Sequence, residues 1–202
     1  NPWELILNSI NKRMKGVLKA AIEKEHMNVE RYEQLSRLFP KALFVSADEK
    51  LGKLRMIKDA KELKIIEDAC ALADYAVEVG VSEIKEGKTE LEVLNAIEYA
   101  LKLKGVTEMS FATMVLTGAN AASPHGTPGR TKIQKGDLVL FDLGVVVDRY
   151  CSDITRTVAY GDINDKQKEI YDTVLKAQLA AIDASKPGVS AAEVDLSSRR
   201  II

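Results

Sequence analysis

The sequence predicts an α+β protein in which long amphipathic helices accompany a β-hairpin, and three observations carry that prediction. Two β-rich runs, D-L-V-L-F-D-L-G-V-V from Asp137 and Y-C-S-D-I-T-R-T-V from Tyr150, flank a short polar turn at Asp148 and Arg149, the pattern of a hairpin. Ahead of them, apolar residues recur at helical spacing from about Asp59. A helix, Gly turn, capped-helix pattern then occurs twice, since Gly188, Ser190, Glu193 and Val194 repeat the spacing of Gly87, Thr89, Glu92 and Val93.

Taken in order, residues 1–54 alternate helix-like and strand-like stretches, with V-E-R-Y-E-Q-L-S-R-L-F capped by Asn28 and A-L-F-V-S as a short strand after Pro40. This resembles the tail of an α/β unit, too short for a core of its own. A run of longer helices follows, from about Asp59. Its first long helix is expected to bury Leu63, Ile66, Cys70, Ala73, Val77 and Ile84 and to end near Gly87. The next helix starts at a capping box of Thr89 and Glu92 and runs to about Lys104. In the first copy of the repeat this helix leads into strands; in the second the sequence stops at Ile202, partway along the helix. The chain is therefore expected to be a fragment, cut at both ends.

Composition narrows the function. The chain is 46% hydrophobic and 29% charged, and its net charge of -1 supplies no basic field for nucleic acid or an anionic membrane surface. Lys58, Lys61 and Lys64 read as a solvated helix face. Cys70 and Cys151, without a Cys-x-x-Cys spacing, read as free thiols and not as a disulfide framework or a zinc-thiolate site. No apolar run reaches the roughly 20 residues of a membrane span, and N-P-W-E-L does not begin a signal peptide. A cytoplasmic location is expected.

Two carboxylates sit inside the hairpin strands. With an even loop and no bulge, opposite residues have an odd index sum, so Asp142 and Asp153 share a face whether the turn centres on Val147-Asp148 or on Asp148-Arg149. The first register sets them directly opposite, about 5 Å apart at Cβ. Like charges that close repel unless one takes a proton or a cation lies between them. All-oxygen ligation suits a hard or borderline divalent ion, or two ions about 3.5–4 Å apart sharing a carboxylate. The alternative is that Asp142 and Asp153 pair with Arg149 and Arg156 or cap turns.

His125 lies in S-P-H-G-T-P-G, an irregular loop of the kind that places catalytic or substrate-contacting side chains; the plain alternative is a surface histidine. Ser152 beside Asp153 would allow a Ser-His-Asp arrangement with His125, but no Gly-x-Ser-x-Gly elbow surrounds it. The G-A-N-A-A-S-P-H-G run lacks the Gly-Lys-Ser/Thr ending of a phosphate loop.

Together, F-A-T-M-V-L-T-G-A-N-A-A-S-P-H-G-T-P, G-D-L-V-L-F-D-L-G and Y-C-S-D-I-T-R-T-V resemble the pita-bread metallopeptidases, most closely the prolidase and aminopeptidase P branch. K-E-H-M-N-V-E-R-Y followed by L-R-M-I-K-D-A-K-E-L resembles the junction between that branch's creatinase-like N-terminal domain and its catalytic domain. The resemblance implies the C-terminal part of a creatinase-like domain over 1–54, then the first half of a pseudo-twofold pita-bread domain over 55–202. It implies Asp142 as the chelating and Asp153 as the bridging ligand of two divalent ions, Mn²⁺ or Co²⁺, with Zn²⁺ a further candidate. His125 is then the residue that contacts substrate and helps stabilise the tetrahedral intermediate, and Phe111 lines the substrate pocket unless it is simply core.

The implied activity is hydrolysis of Xaa-Pro bonds in dipeptides or short proline-containing peptides, by a homodimer. The same resemblance calls for three further ligands, a histidine in a Gly-His-Gly segment and two glutamates, from the second half of the repeat. The only histidines here are His26 and His125, so this chain by itself is expected to be inactive. Two rival readings use the same scaffold: a non-catalytic peptide- or protein-binding domain, and a creatinase-like hydrolase or lyase. Both dispense with the metal pair, and the two aspartates count against them.

Overall fold

The structure, a computed structural model, describes residues 2–13 and 19–202; Asn1 and residues 14–18, which fall in the predicted alternation of 1–54, lie outside it. The chain divides into two compact units, 1–61 and 62–202.

In the first unit, helix α1 (Pro2–Arg13) is followed by β1 (Lys19–Ile22), α2 (Val29–Leu38), β2 (Leu43–Ser46) and α3 (Asp48–Met56). Strands β1 and β2 pair in parallel with α2 between them, the crossover unit of an α/β domain. Asn28 caps α2 as expected, its side chain accepting from Arg31 N at 2.9 Å.

The second unit runs α4 (Ala60–Ser82, its first two residues still in the first unit), α5 (Glu90–Leu103), β3 (Met114–Thr117), a 3-10 turn (Gly118–Ala122), β4 (Asp137–Leu143), β5 (Val146–Val147), β6 (Tyr150–Cys151), β7 (Ile154–Tyr160), α6 (Asp165–Ala184) and α7 (Ala191–Arg199). Strand β4 lies antiparallel between β3 and β7. Alternate residues of a strand face opposite ways. One face of this sheet, through Val115, Val139, Phe141 and Leu143, joins Ala69, Ala73 and Ala76 of α4 and Val93, Ile97 and Leu101 of α5 in the buried core. The other face carries Met114, Leu116, Leu140, Asp142, Thr155 and Thr157.

The buried stripe of α4 differs from the expected one. Of the six residues named from the sequence only Ala73 is fully buried; Leu63 is 51% exposed and Cys70 is also exposed, while Ile66, Val77 and Ile84 are half-buried. The helix instead presents Ala69, Ala73, Ala76 and Gly80. Small side chains bring the helix close to the sheet, and Phe141 takes up the room they leave. A Cβ at Gly80 would stand 2.6 Å from Phe141 Cε1 and 2.9 Å from Ile97 Cδ1. Helix α4 also ends at Ser82, five residues before Gly87.

Both copies of the repeat are present. Gly87 and Gly188 have φ of 80° and 88°, the left-handed region open to glycine. Thr89 caps α5 and Ser190 caps α7. The capping box is reciprocal only in the first copy; in the second, Glu193 turns to Arg200 at 3.2 Å. Among the described residues both cysteines are free thiols, and no helix is long and apolar enough to cross a membrane.

Candidate metal centre

The turn at Asp148-Arg149 sets the position of both aspartates. Val147 pairs with Tyr150 and Val146 with Cys151, leaving a two-residue loop whose residues have φ of 45° and 72°. Two positive φ values in succession match the twist of a type I′ hairpin. Farther along, Asp142 pairs with Thr155 and Leu143 with Ile154, in the same register. Of the two registers the sequence allowed, the structure has the second. Continued to Asp153, just before β7, this register makes it diagonal to Asp142 and not directly opposite, and the Asp153 charge acts on the Asp142 carboxyl, as a shared face requires. Diagonal positions in a regular ladder lie about 7–8 Å apart.

Between β4 and β5 the ladder opens without losing register. Ser152 N donates to Val145 O at 3.0 Å, and Val145 N donates to Ser152 Oγ at 3.1 Å. Ser110 fills the opening, its N donating to Gly144 O at 3.0 Å and its Oγ to Ser152 O at 2.8 Å. Only glycine fits at 144, where a Cβ would stand 2.0 Å from Ser152 O and 2.2 Å from Ser110 Oγ. Ser152 is 4% exposed and spent on backbone, which removes it as a nucleophile and with it the Ser-His-Asp arrangement. Phe111 follows Ser110 directly and is half-buried.

Asp142 is half-buried and accepts from Thr155 Oγ1 at 3.1 Å; Asp153 is exposed. Burial pushes the Asp142 carboxyl above its ordinary value of 3.8, the Thr155 hydroxyl partly offsets this, and the nearby charge of Asp153 adds to the rise. Among the described residues neither aspartate forms an ion pair, with Arg149, Arg156 or any other cation. Arg156 donates instead to Thr155 O at 2.9 Å. The arginine alternative therefore falls. Two neighbouring carboxylates, one held partly out of water and short of counter-charge, suit a divalent cation in donor chemistry. They make only part of a site: among the described residues no group of three or more His, Cys, Asp and Glu could hold a metal ion.

His125 is exposed, on the loop between the 3-10 turn and β4. That loop packs onto the face that bears Asp142. A Cβ at Gly126 would meet Leu116 Cδ1 at 2.6 Å, and Leu116 stands two residues along β3 from Met114, the partner of Asp142.

One residue of this neighbourhood belongs to none of the sequence motifs above. Glu90, at 0% exposure, accepts from Thr117 N at 2.9 Å, Asn120 Nδ2 at 3.1 Å and Gly129 N at 2.8 Å. A signal for it existed, because Glu90 occupies the buried stripe of α5 with Val93, Ile97 and Leu101. A charge on an apolar stripe must find donors.

Residues 64–202 match the sequence model of Metallopeptidase family M24, and residues 1–57 match that of the Creatinase/Prolidase N-terminal domain. Over its full 202 residues the chain is 53% identical to a putative dipeptidase, YkvY, of Bacillus subtilis (strain 168) and 46% identical to an uncharacterized peptidase of Staphylococcus aureus (strain USA300). It spans 56% of the length of each. Among solved structures it is similar to the prolidase from Pyrococcus horikoshii OT3, with TM-score 0.91 and 40% identity over 97% of this chain and 56% of that one. An Xaa-Pro dipeptidase from Bacillus anthracis matches with TM-score 0.92 and 37% identity over 98% of this chain and 56% of that one.

Proposed function

Since this chain belongs to metallopeptidase family M24, with a creatinase-type N-terminal segment and the first half of a pita-bread domain, we propose that the whole protein hydrolyses Xaa-Pro bonds in dipeptides or short proline-containing peptides. The observation that carries this reading is the shared face of Asp142 and Asp153, neither of them ion-paired with an arginine among the described residues, with the His125 loop packed on the same side. The names borne by its relatives, putative dipeptidase, prolidase and Xaa-Pro dipeptidase, support it.

In this reading two divalent ions, Mn²⁺ or Co²⁺ with Zn²⁺ as a further candidate, would be held by Asp142 as the chelating ligand and Asp153 as the bridging ligand. Such ions would supply Lewis-acid chemistry, polarisation of a carbonyl and a more acidic water. The chain's own residues do the rest of what is proposed. Thr155 keeps the Asp142 carboxyl turned to the face it shares with Asp153. His125 donates to the substrate oxygen as negative charge develops there, and Phe111 supplies an apolar wall. With two of the five ligands the family resemblance calls for, residues 1–202 alone are inactive.

The same reading puts the domain boundary between residues 54 and 55, supported by the division of the chain into units 1–61 and 62–202. It also makes the whole protein a cytoplasmic homodimer. The test is hydrolysis of an Xaa-Pro dipeptide by the whole protein with added Mn²⁺, against the same dipeptide with alanine in place of proline. Metal-dependent cleavage of the proline substrate is expected; preference for the alanine substrate would overturn the specificity.

A further inference from the structure

Glu90 touches the His125 loop at both ends. Its Oε1 accepts from Thr117 N, the last residue of β3, and its Oε2 accepts from Gly129 N, four residues beyond His125. Asn120, inside the loop, donates through Nδ2 to Glu90 Oε1 at 3.1 Å and to Thr131 Oγ1 at 2.9 Å. The start of α5 holds the outgoing strand of the loop by backbone as well, with Leu91 N donating to Gly129 O at 3.2 Å and Glu90 N to Thr131 O at 3.1 Å. Thus one buried carboxyl gathers the entry, the interior and the exit of a loop that has little regular structure of its own past Ala122.

We infer that Glu90 is a positioning residue: it closes the loop of residues 117–129 against the N-terminus of α5 and so fixes where His125 stands over the Asp142 face. The inference rests on the proposed role of His125 in hydrolysis. Both oxygens are needed because each meets a backbone N–H at a different end. Glutamine keeps the size but offers one NH₂ where an acceptor is required, so it must release either Thr117 or Gly129. The sheet does not depend on this contact, since β3, β4 and β7 are held by their own ladder.

The test uses Glu90→Gln in the whole protein, with Asn120→Ala as a milder second variant that removes the interior tie. Amide hydrogen exchange is read in residues 117–131, with β4 and β7 as the internal standard. We expect loop exchange at least tenfold faster and sheet exchange within twofold of the parent. Activity with Mn²⁺ on an Xaa-Pro dipeptide is then compared in two backgrounds. Glu90→Gln should lower kcat/KM at least tenfold in the parent and less than twofold in His125→Ala, with Mn²⁺ stoichiometry unchanged. Unchanged loop exchange, or an equal loss in both backgrounds, would overturn the inference. Should no form cleave the peptide, the proposed activity fails, and the exchange comparison alone decides whether Glu90 holds the loop.

Discussion

Asp142 stands opposite Thr155 and diagonal to Asp153, and the Thr155 hydroxyl donates to its carboxyl at 3.1 Å. By register this offset separates the two like charges by more than a direct pairing would, while Asp142 lies on the face of the sheet turned away from α4 and α5 and feels the charge of Asp153. A directly opposed pair would meet at about 5 Å at Cβ, against about 7–8 Å for diagonal positions in a regular ladder.

The proton balance of Asp142 follows from that position. Its folded pKa lies above 3.8, so the folded protein takes up this proton more readily than the unfolded chain. Without a cation, stability therefore falls as pH rises from about 3.8 through the raised folded value, and levels off above it. A bound cation selects the ionised form, so cation affinity falls as pH drops through the same window. The rise in Tm on adding Mn²⁺ to the whole protein should be larger at pH 7 than at pH 4.5; an equal or reversed dependence would contradict the argument.

Arg149, at φ 72°, occupies backbone space that costs a side chain about 1–2 kcal/mol and costs glycine nothing steric. Its chain neighbour Asp148 is already a favoured first residue of a type I′ turn. Arg149→Gly should stabilise the protein by about 0.5–1 kcal/mol, read as a higher urea midpoint with unchanged slope. A lower midpoint would mean that the Arg149 side chain contributes more than its backbone costs.

Gly144→Ala should do the opposite. The new methyl would drive into Ser152 O and Ser110 Oγ, and both are backbone-anchored. The clash must push the strands apart where the ladder is already open, at a cost of about 3 kcal/mol. For a chain of this size that lowers Tm by roughly 6–12 °C. Because Asp153 follows Ser152 directly, Mn²⁺ affinity should fall as well, measured by calorimetry at a temperature where the variant is still folded.

Much of this arrangement was legible in the sequence. The hairpin, the capped helices and the repeat each rest on local signals: alternation, an Asn, Thr or Ser before a helix, and glycine after one. The common face of Asp142 and Asp153 followed from parity alone. What the local pattern left open was which of two turns forms, because that choice depends on whether Asp148 and Arg149 both accept positive φ. The stripe of α4 departs from its local pattern for a tertiary reason. Large apolar residues are the usual core, but here alanines and Gly80 face the sheet because Phe141 fills the space. Glu90 has no local signature to match the capping pair Thr89 and Glu92, since its donors come from residues 27 to 39 positions away.

Whether Asp142 and Asp153 together hold divalent cations is decided by titrating the whole protein with Mn²⁺ in a calorimeter. The parent should bind two ions per chain, and Asp142→Asn and Asp153→Asn should each abolish stoichiometric binding while the far-UV circular dichroism stays unchanged. Stoichiometric Mn²⁺ retained by either variant would contradict joint binding by the pair.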